Sequence, residues 1–132
     1  MRVTDGAMVD RAVLNKAVWA AGIADSWSPH LYVFAGDPRD GGRLHARFFA
    51  PGFGIEEDPA TGSACASLVA SLAQRSPDLD GSYEVQIDQG VVMDRPSSLE
   101  GTAYQENGRL TEIVVSGRAT IIGRGTMALP TE

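Results

Sequence analysis

GIEEDPATGSACASLVASLA, residues 54–73, sets two glutamates, an aspartate and a proline directly before a run with no charged side chain. From Gly62 to Ala73 only Leu68, Val69 and Leu72 are large; the rest is mostly glycine, alanine, serine and cysteine. A helix at the surface carries a polar stripe on its solvent side. This one carries none, which predicts a helix buried on nearly every side. Its small residues would let sheet backbone approach closely. The simplest arrangement that satisfies both features is a sheet wrapped about a central helix.

Outward from this helix the chain reads as a mixture of elements. TDGAMVDRAVLNKAVWAAGI, residues 4–23, has Met8, Val9, Ala12, Val13, Val18 and Trp19 near helical spacing and predicts one amphipathic helix. Thr4 or Asp5 would cap its start, and Gly22 would stop it. SWSPH makes a turn. LYVFAGD is a strand ended by the turn DPRDGG, and RLHARFFAP is a second. Its alternation places Leu44, Ala46 and Phe48 opposite Arg43, His45 and Arg47.

Beyond the helix, QRSPDLDGS is a loop, and YEVQIDQG alternates Tyr83, Val85 and Ile87 against Glu84, Gln86 and Asp88. VVMDRPSSLEG passes through a turn. Asn107-Gly108 between TAYQE and RLTEIVVSG predicts a hairpin with a type I′ turn. RATIIGRGTMALP is expected as the last strand, bent at Gly123 and Gly125. The class is α+β, with a strongly curved, mostly antiparallel sheet.

At 132 residues the chain fits one domain. Its net charge of −6 and scattered basic residues argue against nucleic-acid or anionic-membrane partners. Cys65 is the sole cysteine, so there is no internal disulfide and no zinc-type Cys/His spacing. With no signal-like start and no membrane-length apolar run, the expected location is cytoplasmic.

The chemistry concentrates where the acids meet the helix. The first N–H groups of a helix lack intrahelical partners, and the dipole makes that end partly positive. Thr61, Gly62 and Ser63 offer N–H donors and two hydroxyls, and Gly62 allows close approach. Such a start suits a carboxylate. Asp58, fixed by Pro59, stands at its rim, placed either to shuttle a proton at the adjacent carbon or simply to cap the helix. Glu56 and Glu57 are expected to be solvated or turn-forming, and Cys65 a buried packing residue.

Two segments carry a family resemblance. RFFAPGFGIEEDPATGSACASLVASL, residues 47–72, and QGVVMDRPSSL, residues 89–99, resemble the signatures of the PhzF-like family, named for phenazine biosynthesis. The resemblance spans residues 43–129. It implies a diaminopimelate-epimerase-like fold: two lobes, each a curved sheet, an open barrel, around a central helix. The site lies between the lobes, where both helix starts face the substrate. It also implies isomerisation by proton movement without a cofactor. By position, Asp58 matches the aspartate beside the substrate, and Thr61, Gly62 and Ser63 match the helix-end residues that bind it. The related epimerases have a catalytic cysteine at the place of Asp58.

There are two departures. Asp94 replaces a glycine of the family's Met-Gly-Arg-Pro-Ser, which implies a changed turn. The whole chain, 1–132, matches only the C-terminal lobe, and the lobe carrying the family's acid/base glutamate is missing. The primary expectation is therefore half of an isomerase site for a small carboxylate, completed by a separate N-terminal lobe. A non-catalytic carboxylate-binding module is the alternative. A homo-oligomer in which two copies mimic the two lobes is a third reading.

Overall fold

A computed structural model of the chain describes residues 1–40, 43–78 and 80–128. Its strands are β1 (Leu31–Ala35), β2 (Leu44–Ala50), β3 (Ile55–Asp58), β4 (Gly81–Gln89), β5 (Ser97–Glu106) and β6 (Arg109–Gly117). Its helices are α1 (Gly6–Asp10), α2 (Lys16–Gly22) and α3 (Gly62–Ala73). The strands form one six-stranded open sheet in the order β1-β2-β4-β5-β6, with β3 added to β2. All pairings are antiparallel except β2 with β4. Parallel neighbours need a crossover connection, and α3 lies within it.

The α3 face of the sheet holds the main core. Cys65, Leu68, Val69 and Ala73 meet Phe34 of β1, Leu44 and Ala46 of β2, Val85 and Ile87 of β4, and Leu99 and Ala103 of β5. Val115 of β6 packs at its margin. The close approach expected of small residues occurs at Gly101, where a Cβ would stand 3.0 Å from Cys65 Sγ and 3.2 Å from Val69. A side chain there would force Cys65, Val69 or the strand itself to give way. On the opposite face, Val33, Ala35 and Phe49 form a smaller core with Val9 of α1. Layers on both faces explain why Phe48, Phe49 and Ala50 are buried in succession.

Several expectations are corrected. α3 is not buried all round: Ser63 and Ser67 are exposed, and Ala66, Ala70 and Ser71 are half-buried. Among the described residues the edge strands β1 and β6 do not pair with each other, so the sheet leaves this side of the helix open. The single helix over 4–23 is two helices. Asp5 caps α1 by accepting from Met8 N–H, but Asn15 caps a second start by accepting from Val18 N–H at 3.1 Å. Between them, Arg47 takes carbonyls that a continuous helix would use itself. Ile23, rather than Gly22, closes α2.

IEED, not expected as a strand, is β3. RATIIGRGTMALP is not a strand over its described part, 118–128. Ile121 and Ile122 there are 74% and 99% exposed. An alternating pattern holds no strand without a ladder to join. Residues 129 and 130, and residues 41 and 42 of the DPRDGG turn, lie outside the described residues.

The Asn107-Gly108 hairpin forms as expected, with φ of +52° and +73° at the two turn residues. Asp94 does lie in a turn, in the left-handed region at φ +54°. Aspartate is among the few non-glycine residues that adopt it. No helix among the described residues is long and apolar enough to cross a membrane.

Candidate functional site

The start of α3 and the end of β3 meet at Asp58. β3 runs antiparallel to β2, with Asp58 opposite Phe48 and an irregularity before Ala50. Strand partners share a face, so Asp58 lies on the α3 side. Glu57 lies on the other side, where it is held by Arg47. Nε donates to Oε1 at 2.8 Å and Nη2 to Oε2 at 2.7 Å. This corrects the expectation for Glu57, whose side chain is 11% exposed. Glu56 is exposed, as expected, and faces Lys16 at 3.3 Å. The hydrogen bond to Glu57 raises the Arg47 pKa further, outweighing the opposing effect of burial. The clamp fixes the strand that ends in Asp58.

Thr61 occupies the cap position of α3, yet its hydroxyl does not cap the helix. It donates instead to Asp58 Oδ2 at 2.5 Å. The first amides of α3, at Gly62, Ser63 and Ala64, are therefore left without a side-chain cap. The four residues expected at the site come together on consecutive backbone. Asp58 and Thr61 are joined by a hydrogen bond, Gly62 opens the helix, and Ser63 is exposed on its first turn.

Sequence reasoning missed the support behind them. Gln89 is fully buried. Its amide donates to the Asp58 carbonyl at 2.6 Å and to Thr61 Oγ1 at 3.0 Å. Its carbonyl accepts from the Tyr32 hydroxyl at 2.9 Å. Burial pushes the Tyr32 pKa well up, with a smaller contribution from Cys65, which keeps the phenol a donor. A signal was present: Gln89 continues the Tyr83, Val85, Ile87 face of β4, a polar residue on a buried row.

The second signature segment docks here as well. Gly90 has φ +76°, and a Cβ would come within 2.9 Å of Pro59 and 2.4 Å of Arg95 O. Only glycine lets this turn rest on the segment between Asp58 and the helix.

Cys65 lies one turn into α3, fully buried, and burial raises its thiol pKa. A buried, neutral thiol is a poor nucleophile. Iodoacetamide should label it at least roughly tenfold more slowly in the native protein than in denaturant. Equal rates would return Cys65 to the candidates for catalysis. No group of three or more metal-ligating side chains occurs among the described residues.

The α+β fold thus presents an uncapped helix start beside an acid that a buried amide network holds in place. The chain belongs to the family of phenazine biosynthesis-like proteins, whose model matches residues 13–125. It is 39% identical over 99 residues to trans-2,3-dihydro-3-hydroxyanthranilate isomerase of Pseudomonas chlororaphis, covering 75% of this chain and 34% of that protein. The isomerase of the same name from Pseudomonas fluorescens is 40% identical over 99 residues, with the same coverage. An uncharacterized isomerase of Mesorhizobium japonicum is 32% identical over 84 residues, covering 64% of this chain and 28% of that protein. The chain spans about a third of the length of these curated relatives.

Proposed function

We propose that this chain is one lobe of a cofactor-independent isomerase that moves a proton on a small carboxylate substrate. Its sheet and α3 would form the C-terminal lobe of a diaminopimelate-epimerase-like fold. The single observation that carries the reading is Asp58, held by Thr61 and Gln89 at the uncapped start of α3. The helix amides at Gly62–Ala64 would bind the substrate carboxylate. Asp58 would then stand beside the carbon next to it, as general acid or base.

The relatives named as isomerases support the reaction class. In this reading the site is completed by a second lobe that carries the opposite acid/base group.

The test is an amide NMR titration with benzoate. The expected result is saturable shifts at Gly62, Ser63 and Ala64 that Thr61→Ala alters. Shifts elsewhere, with none at these three amides, would remove the carboxylate site from this reading.

A further inference from the structure

Along the second half of α3, away from Asp58, lies a cavity of about 410 Å³. That is the volume of a small-molecule site. Three arginines reach it from three separate parts of the chain: Arg2 beside β1, Arg39 in the turn after β1, and Arg75 just past α3. Asp37 is the one acid among the described residues that line it. The chain as a whole carries a net charge of −6, so the cavity reverses the prevailing sign.

The charges are held in place. Gly36 has φ +113°, and a Cβ there would stand 2.9 Å from Arg43 O, so the turn that delivers Asp37 requires glycine. Asp37 Oδ1 accepts from Arg39 N–H at 3.0 Å and from Arg39 Nε at 3.1 Å, and Oδ2 accepts from Arg39 Nη2 at 2.8 Å. These bonds hold the Asp37 carboxyl well below the usual carboxylate range, so it stays ionised. Arg2 Nη2 reaches the same Oδ2 only at 3.4 Å. One carboxylate thus keeps two guanidinia side by side.

The third guanidinium, of Arg75, makes no hydrogen bond or ion pair among the described residues. The hydroxyl of Tyr83, half-buried on the cavity wall, makes no hydrogen bond there either. Burial raises the Tyr83 pKa, which keeps the phenol a donor, and Asp37, Arg39 and Arg2 all lie near enough to act on it. Like charges gathered at a cavity repel one another until an anion joins them. Guanidinium forks and a phenol are donors that match phosphate oxygens. Phe34, Leu68 and Leu72 add an apolar floor.

We propose that this cavity binds the dianionic phosphate of a phosphorylated small molecule, with Arg2, Arg75 and the Tyr83 hydroxyl donating to its oxygens and the apolar floor taking the organic part. It is a second site, separate from the start of α3: the rise from Gly62 to Ala73 is roughly 16 Å.

The test is an NMR titration of the full chain with phenyl phosphate at constant ionic strength, repeated on the Arg75→Gln and Tyr83→Phe variants. Saturable shifts are expected at Asp37, Arg75, Ser76 and Tyr83. Losing a charge-assisted hydrogen bond should weaken binding roughly tenfold in Arg75→Gln, and losing the phenol donor roughly threefold to tenfold in Tyr83→Phe. Arg75 is exposed and Tyr83→Phe keeps the ring, so both variants should fold. Benzoate, a monoanion with the same ring, should bind this cavity more weakly than phenyl phosphate. Shifts confined to Gly62–Ala64, full affinity in both variants, or equal affinity for benzoate would overturn the phosphate site.

Discussion

Arg47→Met should destabilise the protein by about 3–5 kcal/mol, the cost of leaving one member of a buried ion pair without its partner. That is a large share of the roughly 5–15 kcal/mol that holds a typical domain folded. Arg47 is 8% exposed and ties three elements together. Its fork grips both carboxylate oxygens of Glu57 on β3. Its remaining nitrogen donates to the carbonyls of Val9, Asp10 and Ala12, at the end of α1, at 3.3, 2.9 and 2.8 Å. The guanidinium also lies 5.0 Å from the centre of the Phe49 ring. Methionine fills much of the volume and replaces none of these bonds. Lysine keeps the charge but not the planar fork, so Arg47→Lys should recover only part of the loss.

Urea denaturation followed by circular dichroism measures the effect. Combining Arg47→Met with Glu57→Leu should cost less than the sum of the two single changes, because the second removes the stranded charge. Part of the deficit should remain, since the Asp10 and Ala12 carbonyls lose the donor that Arg47 supplied. A single-variant loss below about 1 kcal/mol, the scale of an exposed pair, would show that the clamp is a surface ornament.

This clamp also marks where the sequence was opaque. Ile55–Asp58 is short and mostly charged, and nothing in its own composition favours a strand. It joins the sheet because Glu57 finds Arg47 on the neighbouring strand. The same arginine interrupts the first helix, whose periodicity continues unbroken from Met8 to Trp19. Both features are decided by one side chain acting across the fold. Local pattern reports neither.

What was legible was local. The acid, the proline, the small polar junction and the uncharged run lie on consecutive residues, so α3 and the grouping of Asp58 with Thr61, Gly62 and Ser63 could be read directly. The serines of α3 were ambiguous for a physical reason: a small hydroxyl fits a tight packing face and a solvent edge equally well. Ser63 and Ser67 turned out to be the edge. Gln89 lay on a readable buried row, but its partners are 57, 31 and 28 residues away in sequence.

Asp58→Asn should abolish most of the proton exchange that the chain supports once a complementary lobe is supplied. On its own, the chain should show little or none, because one acid/base group is half of a proton shuttle. A positioned general acid or base contributes roughly 10²–10⁴-fold, so the substituted lobe should fall by about that factor in the reconstituted pair. The exchange is deliberately small in shape. An asparagine oxygen can still accept from the Thr61 hydroxyl, and the Asp58 carbonyl that Gln89 grips belongs to the backbone. The fold and the helix start should therefore persist while the titratable oxygen is lost. Cys65→Ala is the contrasting change, and it should leave exchange nearly intact because the thiol is buried against Gly101. The readout is deuterium uptake from solvent into candidate carboxylates, which reports proton transfer even where substrate and product look alike. Full exchange by Asp58→Asn, or its loss in a folded Cys65→Ala protein, would take the proton away from Asp58 and give it to another group.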